Sequence, residues 1–243
     1  MKLFIPIICY NHTANTEFMF SLMQLLIALK HNNIETVFFP INFDSLISRA
    51  RNAAAAHFLT DKTATHLLFI DSDIEFKPDD VFNLINANKP VICAAYAQKW
   101  LDQNAIKTHF SKPTIPFNPF EICTKTSVHL LPADKVDYIM KVKYATTGFL
   151  LVQRHVFETI ANNNPTLSYI NDIDGYSSAN SDCFYNFFPT IINPDTKRYE
   201  SEDYGFSRLW TESGGEIFVA TNISLKHHGW FAYPANLYRQ LTE

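Results

Sequence analysis

Glycine is absent from the first 147 residues of this 243-residue chain, and all six glycines stand at or after Gly148. A GxGxxG dinucleotide turn or a GxxxxGK(S/T) phosphate loop therefore has no place in the N-terminal half, where either would open an α/β fold. Any phosphate bound there must be held by side chains or through a cation.

Hydrophobic periodicity supplies the rest of the plan. Leu3 to Cys9 reads as a buried strand, and Phe18, Leu22, Leu25, Leu26 and Leu29 recur at helical spacing between Thr16 and His31. Glu35 to Pro40 is a second β-rich run, after which Asp44 is placed to cap a helix from Ser45 to Leu59. His66 to Ile70 and Pro90 to Ala95 read as strands on either side of a helix that Pro78 opens. This alternation predicts an α/β fold with a mostly parallel central sheet flanked by helices. From Trp100 to about Lys135 the pattern lapses among prolines at 113, 116, 119 and 132, so a long surface excursion is expected. Strands resume at Tyr138–Tyr144 and Gly148–Gln153, followed by a helix to Ala161 and a second excursion over 162–201. A helix from Glu202, a strand to Thr221 and a segment holding His227 and His228 complete the chain. One domain over 1–243 is expected, with residues 1–99 as a nucleotide-binding half and 100–243 as an acceptor-binding half.

Charge and cysteine usage exclude several classes. Twenty Lys and Arg against 24 Asp and Glu give a formal charge of -4 without a basic run, so a nucleic-acid partner is not expected. Cys9, Cys93, Cys123 and Cys183 are dispersed and form no CxxC pair, which suits reduced thiols in a cytoplasmic chain. The opening apolar run is short and interrupted by Pro6, and reads as a strand rather than a leader. No stretch reaches the roughly 20 apolar residues of a transmembrane span, leaving at most peripheral contact with a membrane. A homo-oligomer is compatible with this composition.

The chemistry is concentrated in Asp71-Ser72-Asp73, which follows an apolar strand directly and so stands at the sheet's carboxyl edge, where open α/β folds bind ligands. In an extended segment the two carboxylates share a side. Their repulsion favours a cation between them, and a hard divalent ion with oxygen ligands, Mn²⁺ or Mg²⁺, would also bridge to a diphosphate. A turn residue and a chain-end cap are the plainer roles for such a triplet.

Several segments in order alter that balance. Ser48-Arg49-Ala50-Arg51-Asn52 followed by His66 to Asp73 resembles the ARN and DxD region of GT-A glycosyltransferases. Thr147-Gly148-Phe149-Leu150-Leu151, Ser201-Glu202-Asp203-Tyr204-Gly205 and Leu225-Lys226-His227-His228-Gly229 are similar to that superfamily's TGxxL strand, acidic ED motif and LxHxG segment. The nearest likeness is to small bacterial and viral surface- or capsid-glycan transferases, with a more distant one to mannan polymerases. The resemblance implies a GT-A fold and metal-dependent sugar transfer from a nucleotide diphosphate sugar to a glycan or glycoconjugate hydroxyl. It places Tyr10, Asn11, Arg49, Arg51, Asn52 and Asp71 at the nucleotide, Asp71, Asp73 and His227 at the metal, and Asp203 and Glu202 at the reacting centre, with Asp203 as base.

On a helical wheel Arg49 and Asn52 point away from the Ile47/Ala54/Phe58 stripe, whereas Arg51 lies near it and calls for an anionic partner, either Asp71 or a donor phosphate, unless its stem snorkels to solvent. Acidic residues at positions 202 and 203 also suit a helix N-terminus on dipole grounds alone. Aromatic residues of the excursions, among them Trp100, Phe110, Phe184, Phe187 and Phe188, are either sugar-stacking faces or packing groups. Two other classes compete. A haloacid-dehalogenase-like phosphohydrolase would use Asp71 as nucleophile but expects Thr or Val where Glu75 stands. A nucleotide- or carbohydrate-binding module would keep the site without turnover.

Overall fold

The computed structural model describes residues 1–110, 117–133 and 135–243. Its elements in chain order are β1 (Lys2–Cys9), α1 (Thr16–His31), β2 (Glu35–Asn42), α2 (Ile47–Thr60), β3 (His66–Ile70), β4 (Ile74–Glu75), α3 (Pro78–Ala87), β5 (Val91–Ala94), β6 (Ala97–Leu101) and α4 (Gln103–Phe110). There follow β7 (Thr124–Thr126), β8 (His129–Leu130), β9 (Ile139–Tyr144), β10 (Phe149–Gln153), α5 (Arg154–Asn163), β11 (Ile191–Ile192), β12 (Tyr199–Glu200), α6 (Glu202–Glu212), β13 (Ile217–Ala220), β14 (Ser224–His228), β15 (Ala232–Asn236) and α7 (Leu237–Thr242).

Eight strands form the main sheet in the order β2-β1-β3-β10-β5-β13-β9-β8. The sheet is mixed rather than mostly parallel. β1 runs parallel to β2 and β3, and β5 to β13, but β10 lies antiparallel between β3 and β5, while β9 is antiparallel to both β13 and β8. The physical reason is β10, which reaches the centre of the sheet from the far half of the chain and places strands of both expected halves side by side. Both faces of the sheet are covered. Leu67, Phe69, Leu150 and Val152 face α2, α5 and α6, whereas Leu68, Ile70, Phe149 and Leu151 face α1 and α3. Strands buried on both sides account for the continuous apolar runs that announced them.

The first excursion is more regular than its composition suggested. β6 pairs with β7 across a bulge, and α4 forms without one buried residue, so no apolar stripe marks it. Pro113 and Pro116 lie outside the described residues. In the second excursion Phe184, Phe187 and Phe188 are buried and serve as packing groups against α2 and α5, while Trp100 and Phe110 remain exposed. All four cysteines are free and buried. Among the described residues no helix is long and apolar enough to cross a membrane.

Candidate active site

β1 and β3 are parallel neighbours, so Tyr10 and Asp71 emerge at the same sheet edge. Between them, the start of α2 and the start of α6 lies a cleft of about 410 Å³ lined by Tyr10, Arg51, Asp71, Asp73 and Glu202, among others. A hollow of similar size, about 430 Å³, lies over Ser168–Asn171 and Ser177–Phe184 and brings no comparable set of charged groups together.

Arg51 is the centre of this cleft. It projects from α2 with its side chain 3 % exposed, gives Asp71 Oδ1 a hydrogen bond of 2.9 Å through Nη2, and lays its guanidinium over the Phe69 ring. Glu202 Oε1 stands 3.5 Å from Nε, a charge pairing without hydrogen-bond geometry, so this buried Nε–H lacks a hydrogen-bond acceptor among the described residues. Burial works against the Arg51 charge, yet Asp71 and Glu202 outweigh it and its pKa is raised. Burial also raises the Glu202 pKa, against the opposing pull of Arg51 and with a further push from Asp203.

Asp73 has different partners. Its Oδ2 accepts a 2.6 Å bond from Lys99 Nζ on β6 and lies 3.2 Å from His227 Nε2 on β14. Burial disfavours the Asp73 charge, but these two contacts prevail and hold its pKa at about 2. The repulsion foreseen between Asp71 and Asp73 is thus relieved by two different basic side chains, Arg51 and Lys99. β14 reaches Asp73 because it pairs with β4, His227 facing Ile74, and because His228 N–H donates to the Asp73 carbonyl at 2.8 Å. Alternation along β14 sends His228 the other way, where its Nε2 is 2.8 Å from Glu75 Oε2 while Lys226 takes Glu75 Oε1.

The His227 ring is oriented by its other nitrogen. Nδ1 is 2.8 Å from the Ala97 carbonyl, which only accepts, so Nδ1 carries a proton. In the neutral ring Nε2 then points a lone pair at a carboxylate oxygen, a contact that requires either a second ring proton or a cation. A backbone carbonyl on one nitrogen, with the other turned toward a carboxylate, is a setting in which a histidine can ligate a metal. Among the described residues no group of three or more His, Cys, Asp or Glu gathers as a ready-made cation cage. Asp73 and His227 offer two donor atoms, which suits an ion that takes much of its coordination from substrate phosphates and water.

Gly148 organises the rear of the site. Its carbonyl accepts the Asp71 N–H at 3.0 Å, and a Cβ in its place would sit 2.7 Å from the Tyr96 ring. Tyr96 thereby lies within electrostatic reach of Asp71, Arg51 and Asp203, with its ring edge-on to His227. Burial first, and then the carboxylates of Asp71 and Asp203, drive its pKa far upward, so its hydroxyl stays protonated.

The remaining expected residues separate into two groups. Tyr10 is 63 % exposed at the cleft rim. Asn11 accepts hydrogen bonds from Thr13 instead of lining the cleft. Arg49 forks onto Asp44, which also takes the Tyr176 hydroxyl and the Leu46 N–H, so α2 begins at Ile47 with Asp44 ahead of its cap. Asn52 is buried, bonded to Asn186 and to the Phe188 N–H, because the second excursion covers that side of α2. At the head of α6, Asp203 Oδ1 accepts from the Ser201 hydroxyl and the Tyr204 N–H; among the described residues nothing engages Oδ2. Lys99 and Tyr96 went unnoticed in the sequence, since neither belongs to a motif of fixed spacing.

No protein-family model matches the chain, and no curated protein is detectably similar to it. The fold is similar to that of A197 from STIV, with a TM-score of 0.50 and 16% identity over 94% of this chain and 86% of A197. S. aureus TarS, residues 1–349, gives a TM-score of 0.33 and 14% identity over 77% of this chain and 54% of that one, too loose a likeness to support an argument. The molecule is therefore a mixed α/β protein of the A197 fold.

Proposed function

We propose that this protein is a metal-dependent glycosyltransferase that moves a sugar from a nucleotide diphosphate sugar to a hydroxyl of a glycan or glycoconjugate. The observation that carries this reading is the sheet-edge cleft that gathers Arg51, Asp71, Asp73 and Glu202, with the buried Arg51 bonded to Asp71 through Nη2 and approached at Nε by Glu202 alone among the described residues. A buried N–H is ordinarily hydrogen-bonded, so an acceptor oxygen beside it is expected. Asp71 is paired to Arg51 and therefore poorly suited to the nucleophilic role that a phosphohydrolase would require.

In this proposal Asp73 and His227 hold a Mn²⁺ or Mg²⁺ ion, which when bound supplies Lewis-acid stabilisation of the leaving diphosphate. Arg51 faces the same phosphates while keeping Asp71 in place, and Tyr10 at the rim flanks the base. Asp203 takes the proton of the acceptor hydroxyl at its unengaged Oδ2. Glu202, already paired with Arg51, positions that guanidinium rather than acting as the base.

Four carboxylates line the cleft, Asp44, Asp71, Asp73 and Glu202, and three basic side chains pair with them, Arg49, Arg51 and Lys99, so a diphosphate should enter only with added positive charge. Thermal shift with UDP, GDP, dTDP or CMP is expected to raise Tm by about 5 °C or more for one of the four with Mn²⁺ and by under about 1 °C with EDTA. Equal stabilisation without metal would overturn the metal dependence; no response in either arm would overturn the donor. Binding without transfer or donor hydrolysis would instead mark a binding module.

The two histidines give a second check. His227→Ala is expected to weaken Mn²⁺ binding by about tenfold or more, and His228→Ala by much less, since His228 faces Glu75. Titration of free Mn²⁺ by electron paramagnetic resonance reads both, and the reverse order would remove His227 from the ion.

A further inference from the structure

The oxygen of Asp73 best placed for a divalent cation is also the one that Lys99 holds. Lys99 Nζ lies 2.6 Å from Asp73 Oδ2, the atom that stands 3.2 Å from His227 Nε2. β6 supplies both sides of this arrangement: Ala97 gives the carbonyl that orients His227, and two residues later Lys99 reaches Asp73. Gly229, at the turn after β14, leaves the path of the lysine stem open, since a Cβ there would be 3.1 Å from Lys99 Cδ and 3.6 Å from Cε. The Lys99 side chain is 40% exposed, so the ammonium has room to leave Asp73. An ion pair so open to solvent is weak and readily exchanged.

We infer that Lys99 is a resident counter-ion of this site: it neutralises Asp73 until a divalent cation takes that oxygen, and then turns to the donor diphosphate. The inference rests on the nucleotide diphosphate reading and adds a phosphate-binding residue to it. A flexible point charge suits this exchange better than a planar guanidinium, which would fork onto the carboxylate. Lys99 therefore opposes the metal when it is alone and assists the nucleotide once the metal is in place.

The two effects have opposite signs, and this makes them separable from a structural role. Lys99→Met is expected to bind Mn²⁺ alone about three- to tenfold more tightly, having lost a competing cation, and to bind the Mn²⁺-nucleoside diphosphate about tenfold more weakly. Lys99→Arg should keep most of the nucleotide affinity. Calorimetric titration of the full chain with Mn²⁺, and with UDP, GDP or dTDP at saturating Mn²⁺, measures both constants, and melting without ligand verifies folding. Gly229→Ala, which crowds the stem without removing the charge, should shift both constants in the same directions by less and serves if Lys99→Met does not fold. Weaker binding of both ligands, or no change in either, would overturn the role of Lys99 while leaving the donor reading intact. A wild-type chain that binds none of the three nucleotides with Mn²⁺ would remove the donor reading, and Lys99's part in it.

Discussion

Asp203→Asn is expected to lower kcat by about 10²-fold or more while leaving nucleotide affinity within about twofold. Asparagine keeps an oxygen for the Ser201 hydroxyl and the Tyr204 N–H, so the first turn of α6 stays capped as before. What disappears is the basicity of Oδ2, the carboxylate oxygen that nothing in the described fold engages. Glu202→Gln should behave differently, because Glu202 is charge-paired with Arg51: donor affinity falls along with turnover. If the two acidic residues serve only the helix dipole, both variants lose about 0.3–1 kcal/mol of stability and transfer remains nearly normal. Donor affinity, melting and transfer rate measured on both variants distinguish these cases, and normal transfer by Asp203→Asn would exclude it as the base.

Much of this site was legible because its parts sit on local patterns. The apolar run His66–Ile70 ends at Asp71, and the α2 wheel placed Arg51 near the core, where a charge demands a partner; the partner is Asp71. The neighbouring positions misled for an equally physical reason. A wheel assumes one buried face, but α2 is buried on nearly all sides from Ala50 to Leu59, so Asn52, expected to face outward, is pinned by Asn186 and Phe188. Arg49 was lost to Asp44 five residues earlier, a pairing that a motif resemblance cannot foresee.

The mixed order of the sheet was beyond local reading altogether. Periodicity identifies Gly148–Gln153 as a strand but not as the antiparallel neighbour of both β3 and β5, a pairing across 57 or more positions. That one insertion sets Gly148 against Asp71 and makes room for Tyr96. The pairing of β14 with β4, likewise remote in sequence, brings His227 to Asp73. Lys99 was hidden by composition. It lies on β6, a strand with three exposed residues whose pairing with β7 is broken by a bulge, so neither alternation nor an apolar run marked it.

Arg51→Met should show how far the site's charges hold the fold together. Methionine fills much of the arginine's volume, so the change chiefly removes the guanidinium and leaves Asp71 and Glu202 without their shared cation. Stripping one partner from a buried ion pair costs about 3–5 kcal/mol. The deficit should depend on pH with a definite sign. Burial already raises the Glu202 pKa against the pull of Arg51, and without that pull the folded value rises further above the unfolded one. A carboxyl with a raised folded pKa binds its proton more tightly in the fold, so its penalty is absent below the unfolded pKa and grows as pH climbs through the folded one. Urea midpoints for Arg51→Met should therefore lie close to wild type near pH 4 and fall well below it at pH 7, with unchanged m values. An arginine merely snorkelling to solvent would instead cost within about 0.5 kcal/mol at either pH. The same variant should lose nucleotide affinity, since a cationic group lining the cleft is gone and Asp71 and Glu202 lose the charge that pairs with them. Full stability together with full affinity at pH 7 would remove Arg51 from the centre of the site.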